Sequence, residues 1–387
     1  MKIAWVIEQM NTSNGGKETS TAQVVGALAD AGHEVVILCQ KGSWSHPGVT
    51  VNQLGVRGPT RRAQAANFAS DVVSAVNAGG FDIVHTVTPV NGANVYQLRS
   101  GSIPGQIEAG SRRWGRLGFV RKMLAPLSLR RALLGRIEKQ MAAQPGVKFL
   151  PVSRMVAQEL AQHYGLGSQV CVVYNAVSGP SVSPDQRAKW RRELWARIGA
   201  SDDAVVFVTA ANNMLLKGVP QTLRHFARWR DESARKAPAR LVVIGDESAR
   251  RMGRLAARLG VKDEVVFVPH VDDVFPWYSA ADACILLSWY DPCSRVVLEA
   301  LRWGLPSITT VYNGAAEALA RGGGIVVSSP EDARAVVAAM AELADPSHRR
   351  RRIEACESCV EEISIEHHVA RLLEVYESLV RRRIQQM

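Results

Sequence analysis

Ala283-Cys284-Ile285-Leu286-Leu287, then Ser288-Trp289-Tyr290-Asp291-Pro292-Cys293, then Ser294-Arg295-Val296-Val297-Leu298-Glu299-Ala300-Leu301-Arg302-Trp303, with Gly304-Leu305-Pro306 behind it, reads as strand, turn, helix and stop. Five apolar residues in a row make a strand covered on both faces rather than one. A second strand is expected at 306–311, so the unit is strand–helix–strand. The same rhythm continues on both sides. Upstream lie apolar strand candidates at Ala204–Thr209, Leu241–Ile244 and Val265–Val268, with helices at 219–230, Glu247–Leu259 and 272–280 between and after them. Downstream a last strand is expected at 325–327 and helix from 331 onward.

The first half repeats the theme. Ile3–Ile7 is a strand candidate, Gly15-Gly16 a turn, Glu18–Ala31 a helix and Val35–Cys39 the next strand. Phe81–His85, Val147–Val152 and Val170–Val173 read as further strands, and Ser153 is placed to cap a helix that runs to His163. Short strands alternating with helices predict an α/β protein with parallel sheets. At 387 residues the chain suits two such domains. The expected division is 1–180 and 181–362 with a linker at 178–184, and a final helix at about 363–387 that packs back on the first domain. Two Rossmann-like sheets would face each other across a deep cleft at the carboxyl ends of their strands.

Composition excludes several classes. No run of 18 apolar residues occurs, and the apolar start Met1–Ile7 meets Glu8 too early for a signal peptide. There is no G-x-G-x-x-G and no G-x-x-x-x-G-K-[ST], which argues against a typical dinucleotide-dependent dehydrogenase and a P-loop ATPase. The six cysteines suit reduced thiols in a cytoplasmic enzyme. Cys356-x-x-Cys359 has metal-ligand spacing but no second pair, and is read as two thiols on a helix surface.

The formal charge of +11 is unevenly spread. Residues 111–140 hold Arg112, Arg113, Arg116, Arg121, Lys122, Arg130, Arg131, Arg136 and Lys139 against the single acid Glu138, and so supply +8 of the total. Trp114, Phe119, Leu133, Leu134 and other apolar residues are mixed among them. Three readings stand: a helix resting on an anionic membrane, a solvated basic face, or a site for a phosphate-rich acceptor or nucleic acid.

Candidate chemistry gathers at strand ends. Gly15-Gly16 opens the first helix, where backbone N–H groups can approach a phosphate or polar substrate; a turn without a ligand is the alternative. Lys217, before Gly218, could neutralise a diphosphate or simply sit in solvent. Asp291 precedes the helix of the opening stretch and Glu299 lies two turns into it. One carboxylate can meet sugar hydroxyls and the other a ribose, with the N–H groups of Ser294, Arg295 and Val296 left for phosphate oxygens. Equally, the two could be an N-terminal charge and a surface residue. His85 ends a strand, as a site residue or a structural one. Asp272-Asp273 reads as a capping pair.

Gly15-Gly16, Lys217-Gly218, Val243-Ile244-Gly245, Asp282, the pair Asp291 and Glu299, and Gly-Leu-Pro-x-Ile-Thr-Thr-x-x-x-Gly at 304–314 together resemble glycosyltransferase family 4, of the two-domain GT-B fold, and within it the lipopolysaccharide core glucosyltransferase I group. The resemblance implies a retaining transferase that needs no metal and no cofactor. Its donor would be a nucleotide-sugar, with a UDP-sugar favoured, and its acceptor a glycan or lipid-linked molecule rather than a nucleic acid. It assigns Asp291 to the donor sugar, Glu299 to the ribose, Lys217 to the diphosphate with help near Gly16 and Ser294, and Val268-Pro269-His270 to the nucleobase. The cysteines suggest a cytoplasmic enzyme, and the membrane reading of 111–140 would make it peripheral on the inner face of the membrane.

Three departures accompany it. Asp291 stands where Glu is usual, Leu215 where an arginine is expected, and Asn94, within Gly92–Tyr96, where relatives carry an aspartate near the acceptor or sugar. An amide can neither balance charge nor act as a base, which leaves His85 as the polar candidate there. A weakened sugar-nucleotide binding protein and a nucleotide-sugar epimerase are the competing expectations.

Overall fold

The computed structural model describes residues 1–12, 15–113, 128–167, 170–232, 238–358 and 360–385. They form two units, one of Met1–Ala176 with Ser364–Met387 and the other of Val177–Ile363.

Among the described residues, the main sheet of the first unit has six strands: β1 Lys2–Val6, β2 Glu34–Cys39, β3 Val49–Gln53, β4 Ile83–Thr86, β5 Val95–Leu98 and β6 Lys148–Pro151. All pair in parallel, in the order β3-β2-β1-β4-β5-β6. The second unit repeats the plan with β7 Val205–Ala210, β8 Ala239–Ile244, β9 Val265–Val268, β10 Ala283–Leu286, β11 Ser307–Thr310 and β12 Gly324–Val327. Its order is β9-β8-β7-β10-β11-β12, again all parallel. Each sheet therefore reverses direction of travel once, beside β1 in one and β7 in the other. In open α/β sheets ligands bind outside the strand carboxyl ends at that reversal.

The helices are α1 Gly16–Asp30, α2 Arg61–Gly79, α3 Ile103–Arg112, α4 Leu129–Ala142, α5 Arg154–Tyr164, α6 Pro184–Ile198, α7 Val219–Glu232, α8 Ala249–Arg258, α9 Phe275–Ala280, α10 Arg295–Arg302, α11 Ala333–Ala344, α12 Pro346–Glu357 and α13 Ile365–Gln385. Several of their starts carry a side-chain cap. Ser153 accepts from the Val156 N–H at the head of α5, and Ser183 accepts from the Gln186 N–H at the head of α6, where Pro184 supplies the first helical residue. Asp273 accepts from the Phe275 N–H, which makes it the capping half of Asp272-Asp273.

Apolar burial explains both sheets. Ile3, Trp5, Ile37 and Ile83 are sealed under α1 and α13, whose Val369, Leu372 and Tyr376 share that core. In the second unit Phe207, Leu241, Val243 and Ile285 are covered by α7 and α11 through Phe226, Trp229, Val336 and Met340. Side chains of this size each contribute about 1.5–3 kcal/mol when fully buried.

Two expectations are corrected. Val170–Val173 is not a strand: it runs beside β6 with only the bonds Cys171 N–H to Phe149 O and Val173 N–H to Pro151 O, and its chain then leaves the sheet. Cys356 is not on a helix surface; it is fully buried on α12, with its sulfur on the Gly323 carbonyl. Its companion Cys359 lies outside the described residues.

Candidate functional site

In the second unit, Lys217 comes from the loop after β7 and Asp291 from the turn after β10, the two strands that flank the reversal. Their side chains meet as an ion pair between Lys217 Nζ and Asp291 Oδ2, mostly shielded from solvent. Neither position is accidental. The loop carrying Lys217 is pinned inward by Met214, which is fully buried, and is turned by Asn213, whose Oδ1 accepts the Leu216 N–H at 2.9 Å. Leu216 O accepts the Trp289 N–H at 2.9 Å, which ties the loop to the end of β10. Gly218 has φ +71, and a Cβ there would lie 1.9 Å from Leu287 O, so only glycine permits this approach.

Asp291 is held by its backbone. Its N–H donates to Tyr312 O at 2.9 Å and its carbonyl accepts from Gly314 N–H at 2.8 Å. Thr309 and Thr310 lace β11 to the end of β10 by donating to Leu286 O and Ser288 O. Three further polar atoms at these strand ends, Thr209 Oγ1, Ser288 Oγ and Trp289 Nε1, are buried without a protein partner.

Glu299 is one turn into α10, with its side chain 13% exposed. Arg295, one turn earlier, donates to it at 2.8 Å, and the Tyr278 hydroxyl lies at 3.5 Å. Burial pushes the Glu299 carboxyl above the ordinary glutamate range, against the pull of Arg295. The site is thus two carboxylate–cation pairs, Asp291 with Lys217 and Glu299 with Arg295, at the carboxyl end of one sheet. Such pairs can exchange a protein partner for a ligand hydroxyl or phosphate without stranding a charge.

The remaining candidates sort differently. Ser294 stands at the N-cap position of α10 without a capping bond from its side chain, and its N–H is not left for a phosphate: Asn313 Oδ1 takes it at 3.2 Å. Arg295 and Val296 open the helix behind it. His270 lies beyond β9 with its ring exposed and its N–H on Asp246 Oδ1 at 3.2 Å. Leu215 packs against the core, so an apolar contact occupies the place where a cation was expected.

Gly15 and Gly16 belong to the first unit, at the head of α1 after β1, where Gly15 has φ +147. His85 is fully buried in β4 rather than presented to a ligand. Its ring stacks on Trp5 at 3.9 Å, and its Nδ1 meets the Tyr376 hydroxyl at 2.6 Å. Burial, reinforced by Arg99 and His368, holds its imidazole well below the usual histidine range. This is the structural alternative of the two. Asn94 is corrected as well. It precedes β5, at the amino edge of the sheet, and its Oδ1 accepts the Val84 N–H at 2.9 Å. It splices two strand starts, at the end opposite the one where ligands enter such sheets.

Glu138 does not offset the surrounding basic residues at the surface. It is fully buried on α4, where it accepts from Tyr96, Tyr164 and the Ile103 N–H. Arg131, Arg136 and Lys139 of the same helix are exposed, whereas Arg130 pairs with Glu8 at 2.7 Å and Leu134 is buried. Trp114, Arg116, Phe119, Arg121 and Lys122 lie outside the described residues. Asn313 was not singled out from sequence, although Asn-Gly shortly after a strand is a turn signal that marks it. Among the described residues, no helix is long and apolar enough to cross a membrane, and no group of His, Cys, Asp and Glu is arranged to hold a metal ion.

Residues 14–178 match Glycosyltransferase Family 4, and residues 202–345 match Glycosyl transferases group 1. A D-inositol 3-phosphate glycosyltransferase of Streptomyces bingchenggensis is 33% identical over 169 residues, which are 41% of this chain and 36% of that protein. The chain therefore spans about a third of that curated relative in the alignment. Among solved structures, WaaG, a glycosyltransferase involved in lipopolysaccharide biosynthesis, superposes with a TM-score of 0.77 at 19% identity, covering 93% of this chain and 95% of that one. Anabaena HepE in complex with UDP and glucose gives 0.72 at 15% identity, covering 98% and 100%. At these identities the two structures establish a shared fold. With both sheets matched to glycosyltransferase families and the double Rossmann-like plan in place, the chain belongs to the family 4 glycosyltransferases of the GT-B fold.

Proposed function

We propose that this protein transfers a hexose from a nucleotide-sugar to a glycan or lipid-linked, lipopolysaccharide-like acceptor, with retention at the anomeric carbon and without a metal. The observation that carries the reading is the Lys217–Asp291 pair at the reversal of the second sheet. Lys217 would turn to the diphosphate and Asp291 to the sugar hydroxyls, while Glu299 holds the ribose and the segment at His270 flanks the base. The first unit would take the acceptor. Front-side attack suits these residues. The acceptor oxygen bonds to the anomeric carbon as the bond to the diphosphate breaks, and a diphosphate oxygen takes the acceptor's proton. No protein base is then required, and the negative charge that develops on the leaving group is met by Lys217.

A thermal-shift screen tests this directly. In buffer with a chelator, UDP-sugars are expected to raise the melting temperature, because a ligand bound only to the folded state stabilises it; a hundredfold excess over Kd is worth about 2.7 kcal/mol. No shift with any uridine, adenosine or guanosine nucleotide-sugar would remove the donor assignment. Leu215, packed where a cation was expected, keeps a second reading in view: a sugar-nucleotide binding protein that turns over weakly or not at all.

We further propose that the basic segment 111–140 rests on an anionic membrane at the cytoplasmic face, where a lipid-linked acceptor would be presented. The exposed Arg112, Arg131, Arg136 and Lys139 support it, each contributing roughly 1 kcal/mol near such a surface. Anionic vesicles are expected to sediment the protein at low salt, neutral vesicles to leave it in solution, and moderate salt to release it. Replacing Arg112, Arg113, Arg116 and Arg121 by Gln is expected to weaken sedimentation and spare transfer to a small soluble acceptor. Equal behaviour with both vesicle types would return the charge to the acceptor or to solvation.

A further inference from the structure

Asn313 lies in the turn after β11 and is 1% exposed, yet its side chain is polar at both ends. Oδ1 accepts two backbone N–H groups, Ser294 at 3.2 Å and Ala315 at 3.0 Å. Nδ2 donates to Thr309 Oγ1 at 2.9 Å. The orientation of the carboxamide is forced by its neighbours. Ser294 and Ala315 can only donate, and Thr309 already gives its single proton to Leu286 O, so towards Asn313 it can only accept. One acceptor and one donor are required in a fixed order. Aspartate would set an oxygen against the Thr309 oxygen, and an apolar residue would strand two buried N–H groups.

The same residue is flanked by the two bonds that hold Asp291, from Asp291 N–H to Tyr312 O and from Gly314 N–H to Asp291 O. Asn313 thus stands between the backbone of Asp291 and the N–H of Ser294, the N-cap residue of α10.

We infer that Asn313 is a positioning residue for the donor sugar, its carboxamide fixing Asp291 relative to the amino end of α10. Selectivity for a nucleotide-sugar over the bare nucleoside diphosphate then depends on an amide at 313. This rests on the reading that Asp291 meets the sugar.

Calorimetry separates the possibilities. UDP-glucose, ADP-glucose and GDP-mannose are each titrated against their own nucleoside diphosphate, with wild type, Asn313→Ala, Asn313→Asp, Thr309→Val and Asp291→Asn. For whichever pair wild type binds, Asn313→Ala and Asn313→Asp are expected to lose at least tenfold more affinity for the sugar nucleotide than for the diphosphate. Thr309→Val, which leaves both bonds to Oδ1 in place and removes the contact at Nδ2 together with the bond to Leu286 O, is expected to lose about threefold by the same measure, and it carries the test should the Asn313 variants not fold. Asp291→Asn combined with Asn313→Ala should lose no more selectivity than Asp291→Asn alone. A purely structural role would lower the melting temperature and leave the affinity ratio unchanged, which overturns the inference. If Asp291→Asn loses selectivity and the Asn313 and Thr309 variants keep it, this inference alone fails. If Asp291→Asn keeps it, or wild type binds none of the three donors, the donor reading fails and takes this one with it.

Discussion

Asp291→Asn is expected to slow sugar transfer by roughly 10- to 150-fold with the fold intact, because a hydrogen bond to a charged group is worth about 1.5–3 kcal/mol. The substitution keeps the shape of the side chain and removes its charge. Asp291 is buried, but its attachment to the sheet runs through its backbone, by Tyr312 O and Gly314 N–H, and both bonds survive. What is lost is the carboxylate that faces Lys217 and that the proposed function assigns to the sugar hydroxyls. Glu299→Gln is expected to act in the same direction, since an amide accepts less strongly from both Arg295 and a ribose. The measurement is initial rate with a labelled donor, paired with a melting curve for each variant. Wild-type kinetics in both variants would dispose of the assignment, and loss of rate together with a collapsed melting curve would convert it into a packing effect.

Lys217→Ala should weaken nucleoside diphosphate binding by about tenfold or more, the loss of one charge-assisted contact. The expectation is large because the neighbouring position offers no help: Leu215 is apolar and packed on the core of its unit. Leu215→Arg is the complementary change. It trades an apolar contact for a guanidinium, so it should tighten diphosphate binding and lower the melting temperature together. Calorimetry with UDP, GDP and ADP reads both variants. If Lys217→Ala binds every diphosphate as wild type does, the phosphates lie elsewhere and Lys217 serves only to neutralise Asp291.

Local pattern was enough for much of this protein. Short apolar runs bounded by turn residues, such as Ala283–Leu286, read as strands buried on two faces, and the glycines and caps between them mark helix ends, so the α/β class and its repetition follow from chain-local physics. The elements that escaped lack that signature. The edge strand Val49–Gln53 alternates with polar residues and is mostly exposed, β5 carries Gln97 inside a buried sheet, and α2 is built largely of alanine and polar residues. At the site, the spacing of Asp291 and Glu299 was legible because both sit on one strand–helix unit. Their partners were not all so. Arg295 follows from helical spacing, one turn before Glu299. Lys217 is 74 residues from Asp291, and only the pairing of β7 with β10 brings the two together. The same holds for what the sequence suggested and the fold withdrew. His85 looked available at a strand end, but burial is a property of what lies above it, and Trp5 and Tyr376, the latter 291 residues further on, enclose it. Asn94 stood beside a plausible motif, but the direction of the strand put it at the closed edge of the sheet. Ser294 had a free N–H by helix geometry alone until Asn313, 19 residues along, folded back to take it. Periodicity records which face of an element avoids water; which elements share that face, and which polar groups are thereby spent on one another, is decided only when the chain closes on itself.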